Sequence, residues 1–326
     1  MLAVMVEGLT KRYAGALTPA LAGIDLKIEP GQFFGVLGPN GAGKTTLISI
    51  LSGIATADTG SIAMRAADGQ TLSPRAAKAI IGLVPQELAF YPSLSVIENI
   101  QFFSELYGLS GRALSAATER ALELGQLSAY RAQRADTLSG GLKRRLNLAI
   151  GIVHSPQLLI LDEPTVGIDV QSRRFLLDAL ATLNRGGTTI IYTSHYLDEV
   201  ESVCDSLAVI DHGRVIAAGP LRELLAANVI VMRTRTAPSA AFISALHHVS
   251  SVVKVDIDCE RITLLASTPA IALAEILHTA ARLHVPIAEA RMGSDDLESV
   301  FFRLTGTRLR DATDHKSPTQ TTDDAR

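Results

Sequence analysis

The chain has 326 residues, which is enough for about two domains. Its 30 Lys and Arg residues against 33 Asp and Glu residues give a net charge of −3, which excludes the basic surface of a general nucleic-acid-binding protein. Hydrophobic residues make up 47% and charged residues 19%, a composition that excludes an intrinsically disordered chain. Two cysteines, Cys204 and Cys259, cannot form a disulfide framework, so we expect a reducing compartment.

We expect neither a secretory signal nor a transmembrane helix. The N-terminal stretch has no basic region ahead of its apolar residues, and Glu7 interrupts it early. The longest charge-free segments, 146–161 and 236–253, contain polar residues throughout, whereas a membrane span needs about 20 mostly apolar residues. The mean hydropathy of +0.25 is nevertheless high, and we expect surfaces that contact partners, including membrane-embedded ones.

Strand-like and helix-like patterns alternate over the first 225 residues. Short apolar runs predict buried strands at 33–37, 158–161 and 188–193. Helical spacing follows the first run at 45–51, and the alternation favours an α/β fold with a mostly parallel sheet and helices on its faces. Two apolar runs around residues 211–214 predict a hairpin at the end of this unit.

The composition divides the chain into further units. Residues 86–150 are rich in Ala, Leu, Glu and Arg, which predicts a helical insertion into the sheet domain of residues 1–225. Alternating strand patterns and two amphipathic helices predict a small C-terminal α/β accessory domain at 226–310. The polar segment 311–326 is expected to be a disordered tail.

A glycine-rich loop lies between the first predicted buried strand and its helix. It reads Gly38, Pro39, Asn40, Gly41, Ala42, Gly43, Lys44 and Thr45 and matches G-x-x-x-x-G-K-[ST]. Glycines let backbone N–H groups turn toward phosphate oxygens, and the following helix points its positive end at the same anion. Lys44 can reach the β- and γ-phosphates and Thr45 can ligate Mg²⁺. Together with Thr46 these residues form a predicted nucleotide site, although an ordinary strand–helix turn is the structural alternative.

Two carboxylates follow the apolar strand at 158–161. Ligands of parallel sheets bind at the carboxyl ends of the strands, so Asp162 can face the glycine-rich loop and hold the magnesium shell. Glu163 is then placed to orient or deprotonate a water that attacks the γ-phosphate. The structural alternative is a pair of solvated acids at a strand exit.

A Leu-Ser-Gly-Gly sequence at 138–141 precedes a predicted helix at 142–153. With these residues the chain resembles the ATP-binding cassette (ABC) ATPases over about residues 3–225, and the family's motifs occur in their usual order. The matching positions are Tyr13, 38–45, Gln86, Leu138–Gly141, Leu161–Pro164, Asp169 and His195. The resemblance implies a P-loop NTPase fold that binds ATP and Mg²⁺ and hydrolyses ATP.

The resemblance also implies individual roles. Tyr13 would stack on adenine, and Asp169 would lie in the loop between two ATPase halves. Gln86 would contact the magnesium or attacking-water region and report to a transmembrane partner, while His195 would hold the γ-phosphate and help to position Glu163. The implied catalytic residues are thus Glu163, His195 and Gln86, and the implied Mg²⁺ ligands are Thr45, Gln86 and Asp162.

The 138–141 sequence further implies a dimer. In the family, Ser139 and Gly141 face the nucleotide of the second subunit, and Gly140 belongs to the same binding segment, so a homodimer would clamp ATP between the two motifs. Leu142 departs from the pattern, because many family members carry Gln there, and residues 142–145 resemble the drug and polysaccharide export branch. We interpret Lys143, Arg144 and Arg145 as a solvated helix face.

The C-terminal sequence at 296–306 resembles the ending of the drug-resistance type of ABC subunits. This implies export of a drug-like, lipid or polysaccharide substrate through a separate membrane permease, with this chain peripheral on the cytoplasmic side of the membrane. The aromatic residues at 86–110 form either the local packing of the helical insertion or a groove for a short permease helix.

Two alternative functions stay open. A non-transport ABC ATPase would act on nucleic acid or ribosomes, but the chain lacks a coiled-coil insertion, zinc-binding cysteines and a second cassette. A regulatory nucleotide sensor without turnover would not need the complete set of catalytic residues that is present.

Overall fold

A computed structural model describes residues 3–66, 69–226, 229–293, 297–298 and 300–301. The strands are β1 (Val4–Lys11), β2 (Leu21–Ile28), β3 (Phe33–Leu37), β4 (Thr59–Met64), β5 (Ile81–Val84), β6 (Leu158–Asp162), β7 (Thr189–Thr193), β8 (Ser206–Asp211), β9 (Arg214–Pro220), β10 (Val229–Thr234), β11 (Val252–Asp258), β12 (Arg261–Ala266) and β13 (Ile287–Met292). The helices are α1 (Lys44–Leu51), α2 (Pro74–Ile80), α3 (Val96–Leu106), α4 (Gly111–Leu124), α5 (Gly140–Ile152), α6 (Val170–Arg185), α7 (Leu197–Val203), α8 (Leu221–Ala226), α9 (Ala240–Leu246) and α10 (Pro269–Arg282). Within the described ranges, every helix is too short or too polar to cross a bilayer.

The central sheet has the strand order β5-β6-β7-β3-β8-β9 and is parallel except for the β8–β9 pair. The predicted buried strands are therefore confirmed, and so is the hairpin at its edge. Because β3, β6 and β7 are parallel neighbours, the loops that leave them start at the same edge of the sheet. Those loops carry the phosphate-loop sequence, the two carboxylates and His195.

The two faces of the central sheet are covered differently. Strand residues alternate between the faces, so Phe34 and Val36 pack on one side while Phe33 and Leu37 pack on the other. The second side is covered by α5, α6 and α7. The first side packs against α1 and an antiparallel sheet of order β2-β1-β4, which the sequence analysis did not predict. Register shifts in β1 interrupt its alternation, which hides this strand from a pattern search.

Helices α3, α4 and α5 fill the chain between β5 and β6, as the helical insertion predicts. Ser95 starts α3 with a capping box, in which its hydroxyl accepts from the Glu98 N–H and the Glu98 carboxylate accepts from the Ser95 N–H. Helix α5 begins two residues earlier than predicted because Ser139 caps it. Leu146 of α5 packs within the insertion and Leu148 packs on the central sheet, so α5 joins the two.

The C-terminal residues form a separate antiparallel sheet of order β11-β12-β10-β13, with α9 and α10 packed on one face around their own apolar cluster. Residues 297, 298, 300 and 301 are helical and return to the first domain. Their side chains Leu297 and Phe301 are buried in the cluster that also holds Val200 of α7. The division at residue 225 stays a prediction, and the tail at 311–326 lies outside the described residues.

Candidate active site

The loop from residue 38 to 43 connects β3 to α1, and its glycines are sterically required. A Cβ on Gly38 would lie 2.3 Å from the carbonyl oxygen of Ile210. Gly43 has φ +108°, and a Cβ there would lie 2.4 Å from the carbonyl oxygen of Ala20. The absence of side chains at these glycines therefore lets the loop backbone pack against Ile210 and Ala20. The first turn of α1 then follows directly on the loop. This is the geometry of an anion cradle at a helix N-terminus.

Lys44 is buried at the start of α1. Its ammonium donates hydrogen bonds to the carbonyl oxygens of Gly38 at 2.7 Å and Pro39 at 3.3 Å, and it lies 3.6 Å from Oε1 of Glu163. Burial lowers the pKa of Lys44, while the charges of Glu163 and Asp162 act in the opposite direction. The ammonium thus lies between the loop and the two carboxylates, and Thr45 next to it is exposed.

The two carboxylates at the end of β6 have different surroundings. Asp162 is the last residue of the strand, is buried, and accepts a hydrogen bond from the hydroxyl of Thr193 at 2.8 Å. Glu163 has a left-handed φ of +44°, which is unusual for a residue with a side chain. Its N–H donates to the hydroxyl of Thr193 at 2.9 Å and to the Thr193 carbonyl at 3.2 Å. These bonds hold the strained residue so that its side chain faces Lys44.

Three predicted residues converge on the Glu163 carboxylate. Besides Lys44 at Oε1, the Gln86 amide donates to Oε2 at 3.4 Å, and Nδ1 of His195 lies 3.4 Å from the same oxygen. The hydrogen bond from His195 is the largest effect that lowers the pKa of Glu163, and the charge of Lys44 adds to it against the opposing effect of burial. Glu163 is therefore an ionised hydrogen-bond acceptor at neutral pH.

The 138–141 segment is partly exposed and partly covered. Ser139 and Gly140 are exposed, and the Ser139 hydroxyl accepts from the N–H of Leu142 at 3.4 Å. Leu138 is buried. Gly141 is covered by the start of α6, since a Cβ there would lie 2.2 Å from the Ser172 hydroxyl. Ser139 and Gly140 are thus the residues of this segment that present atoms to a partner.

The remaining predicted residues lie in loops. Asp169 caps α6 by accepting hydrogen bonds from the N–H and the hydroxyl of Ser172, both at 2.9 Å, and these bonds lower the pKa of Asp169. Tyr13 is half exposed, and the Lys11 ammonium lies 5.8 Å from the centre of its ring. No hydrogen bond or ion pair among the described residues brings Tyr13 or Asp169 to Glu163, so their roles stay predictions.

Arg144 contacts the segments next to Glu163 in a way that the sequence analysis missed. The prediction of a solvated face at 143–145 is wrong for it, because its guanidinium donates to the carbonyl oxygens of Gln86 and Val166 and burial lowers its pKa. Arg145 also deviates, since its guanidinium packs 3.8 Å from the ring centre of Phe175. No local sequence pattern marks Arg144, because both of its acceptors are backbone atoms of distant segments.

Known proteins resemble this chain in sequence and in architecture. The family described as ABC transporter matches residues 21–166. The linearmycin resistance ATP-binding protein of Bacillus subtilis (strain 168) is 39% identical over 317 residues, which cover 94% of this chain and 100% of that protein. The chain belongs to the ABC transporter ATP-binding proteins. It is accordingly an ABC ATPase, which binds ATP and hydrolyses it.

Further relatives of this ABC ATPase show how far the likeness extends. The Nod factor export ATP-binding protein I of Ralstonia nicotianae is 35% identical, and the alignment covers 94% of both chains. A solved structure from Clostridium perfringens, part of the ABC transporter complex cbiONQ, has a TM-score of 0.61 and 30% identity over 68% of this chain and 90% of that chain. The sequence alignments therefore include the C-terminal domain, whereas the structural match is confined to a shorter part of the chain.

Proposed function

We propose that this ABC ATPase is the ATP-hydrolysing subunit of an exporter and that it closes as a dimer around ATP to drive a separate membrane permease. One observation carries the catalytic part of the proposal. Lys44, Gln86 and His195 come from three different segments and meet at the carboxylate of Glu163. A lysine, an amide and a histidine around one carboxylate next to a phosphate loop form a site for γ-phosphate hydrolysis.

The triphosphate would bind in the loop at 38–45. Backbone N–H groups and the first turn of α1 attract its β- and γ-phosphates, and Lys44 neutralises them. Lys44 now bonds to carbonyl oxygens of Gly38 and Pro39, and phosphate oxygens offer the ammonium the same kind of partner with more charge. Tyr13 would contribute its half-exposed ring to adenine.

The donor set beside Lys44 fits Mg²⁺. Asp162 offers a carboxylate, Thr45 an exposed hydroxyl and Gln86 an amide, all of which are hard oxygen donors. Mg²⁺ keeps several water ligands and is held in such sites by one or two protein groups together with substrate phosphates. A bound Mg²⁺ would neutralise charge on the phosphates during transfer.

Glu163 would act on the attacking water. Its ionised carboxylate accepts a hydrogen bond from the water, whose oxygen forms a bond to the γ-phosphorus while the bond to the β-phosphate oxygen breaks. The water proton passes to Glu163 and then to solvent or phosphate. His195 and Gln86 contact Oε2 of Glu163 and help to position the carboxylate, and His195 would also hold the γ-phosphate.

The exposed Ser139 supports the dimer. It caps a helix of 13 residues, and the positive end of that helix suits the γ-phosphate held by a second copy of the chain. Gly140 beside it is open, and Asp169 lies close to the covered Gly141. Hydrolysis would remove the γ-phosphate contact that closes the dimer, and the two copies would then separate.

The membrane partner and the direction of transport are inferred from the relatives. The two curated relatives described above are named for linearmycin resistance and for Nod factor export, and both align over 94% of this chain. These names support export of a drug-like, lipid or polysaccharide compound through a separate permease, and for such a role this chain would lie on the cytoplasmic side of the membrane. They give no support to a nucleic-acid or ribosome partner.

The aromatic segment supports contact with a permease. Tyr91 packs against Phe102 with ring centres 4.9 Å apart, so part of this cluster is local packing. Tyr91 and Tyr107 are nevertheless half exposed, and Leu106 more so. An apolar surface of this kind on the helical insertion suits a short permease helix.

The decisive experiment is Glu163→Gln in the full-length chain. We expect ATP hydrolysis to fall at least about 100-fold, because the amide no longer acts as a base, while ATP now traps a dimer seen by size-exclusion chromatography. Asp198→Asn, an exposed change of the same kind, should keep wild-type hydrolysis. Retained turnover in Glu163→Gln contradicts the assignment of Glu163, and a monomer at saturating ATP contradicts the dimer.

A further inference from the structure

A buried carboxylate outside the proposed mechanism lies directly behind the site. Glu199 belongs to α7, the helix that follows His195, and is 1% exposed. A buried carboxylate is costly unless hydrogen bonds and opposite charges surround it. The partners of Glu199 come from separate segments of the chain, so it connects them.

The two oxygens of Glu199 have different partners. Oε2 accepts hydrogen bonds from the hydroxyls of Tyr192 at 2.6 Å, Ser194 at 2.7 Å and Thr165 at 2.9 Å. Oε1 lies 3.2 Å from Nε of Arg173 and forms an ion pair with it. The angle at the Arg173 N–H does not fit a hydrogen bond between these two atoms. In these hydrogen bonds the carboxylate acts only as an acceptor.

Two of these contacts fix the segment that carries His195. Ser194 directly precedes His195, and its hydroxyl also accepts a hydrogen bond from the N–H of Tyr196 at 2.9 Å. The serine therefore contacts the backbone on both sides of the histidine. The Tyr196 ring lies 4.1 Å from the His195 ring and is covered on another side by the Arg173 guanidinium at 4.2 Å. Glu199 thus contacts Ser194 directly and reaches Tyr196 through Arg173.

Another contact fixes the loop that carries Glu163. Thr165 lies two residues after Glu163, on the way to α6, and donates to Glu199. Glu163 is itself bonded through its N–H to Thr193, the last residue of β7. The Glu163 loop and the His195 segment are therefore both hydrogen-bonded to the Glu199 carboxylate. The side chains of Glu163 and His195 approach each other to 3.4 Å.

We infer that Glu199 is a positioning residue that sets His195 against Glu163 for ATP hydrolysis. The inference rests on the proposed roles of Glu163 and His195. Because Glu199 is buried and bonds to neighbouring segments, it acts through their placement. We expect its loss to change kcat, which depends on the placement of the reacting groups, more than KM for ATP.

The test is Glu199→Gln in the full-length chain. Gln keeps the shape but only one of its polar atoms accepts, so an NH₂ group faces either the three hydroxyls or Arg173. We expect kcat for ATP hydrolysis to fall about 10- to 100-fold while KM stays within about twofold. Asp198→Asn is the matched control on the adjacent, exposed position and should retain wild-type kcat and KM.

A double-mutant cycle separates positioning from general destabilisation. In a His195→Ala background, Glu199→Gln should lower the residual single-turnover rate by a clearly smaller factor than in the wild-type background, because one of the two groups that Glu199 positions is gone. Additive losses overturn the inference. Should Glu199→Gln fail to bind ATP, Ser194→Ala removes one hydroxyl near Glu199 and should give a smaller kcat loss with the same non-additivity; additivity there also overturns it.

The outcomes distinguish this inference from the proposed function. Wild-type turnover in both Glu163→Gln and His195→Ala would remove the proposed function and this inference with it. Loss of turnover in those two variants together with a Glu199→Gln variant that behaves as Asp198→Asn would overturn the role of Glu199 alone.

Discussion

Arg144 donates a hydrogen bond from Nη1 to the backbone carbonyl oxygen of Gln86. Its Nη2 donates to the carbonyl of Val166 at 3.2 Å, on the loop that follows Glu163. A guanidinium is a rigid fork that can hold two acceptors at once. The helix that Ser139 begins is therefore joined directly to both segments that border the Glu163 carboxylate.

We predict that Arg144→Ala weakens both stability and catalysis. Two carbonyls lose a charged donor, so the free energy of unfolding should fall by about 1–3 kcal/mol in urea titrations. Gln86 and the loop at 163–169 lose their shared tether, so kcat for ATP hydrolysis should fall about 10-fold. The neighbouring Lys143→Ala is the control and should match the wild type. Equal kcat values for Arg144→Ala and Lys143→Ala contradict the tether.

The glycine at the start of α1 supports a second prediction. Gly43 has a φ of +108°, and the Cβ of Gly43→Ala would lie only 2.4 Å from the carbonyl oxygen of Ala20. The backbone at residue 43 or at residue 20 must therefore shift. The free energy of unfolding should fall by more than about 2 kcal/mol, and ATP affinity should fall because the loop moves.

The control for Gly43→Ala isolates the clash. Gly15 has φ +80° with nothing within 4 Å of a Cβ, so Gly15→Ala carries only the conformational cost of about 1–2 kcal/mol. Unfolding is followed by circular dichroism in denaturant and ATP affinity by equilibrium titration. A Gly43→Ala variant as stable as Gly15→Ala would show that the loop absorbs the added methyl group.

Much of this architecture is predictable from sequence because the signals are local. The strands at 33–37 and 158–161 are buried on both faces and read as continuous apolar runs, and the phosphate loop needs its glycines within eight positions. The groups that escaped prediction act over distance. Arg144 bonds to carbonyls 58 and 22 residues away, and Glu199 bonds to Thr165 at a separation of 34 residues. Such partners become visible only when the sheet brings them together.

A third prediction concerns pH. The pKa of Glu163 lies below its ordinary value of 4.5, so the folded state favours the ionised form. The resulting stabilisation is fully present above the ordinary pKa and is lost as pH falls through the lower folded value. The difference in unfolding free energy between wild type and Glu163→Gln should therefore be constant above about pH 6. It should become smaller as the pH is lowered below about 4.

Paired urea titrations across this pH range measure the effect. Asp198→Asn, which changes an exposed carboxylate, serves as the control for the loss of one negative charge. A difference between wild type and Glu163→Gln that stays constant with pH, or grows toward acid, contradicts the stabilisation of the ionised form by His195 and Lys44.

The last prediction concerns the C-terminal helix. Phe301 is fully buried in the apolar cluster of the first domain, and the N–H of Leu297 donates to the Glu201 carboxylate of α7 at 2.9 Å. Helix α7 also carries Glu199, so the C-terminal segment packs on the element that follows His195. Phe301→Ala should therefore lower the free energy of unfolding of the ATPase domain by about 3–5 kcal/mol.

Phe242→Ala provides the matched control, because Phe242 is equally buried but belongs to the separate cluster of the C-terminal sheet. Both variants lose a buried aromatic ring, yet only Phe301→Ala removes it from the cluster beneath α7. The unfolding transition that ATP shifts should therefore occur at a lower temperature in Phe301→Ala than in the wild type. In Phe242→Ala the temperature of that transition should stay unchanged. Thermal unfolding with and without ATP measures both. The reverse ranking would mean that the ATPase domain draws its stability from the C-terminal sheet and not from the helix that returns to it.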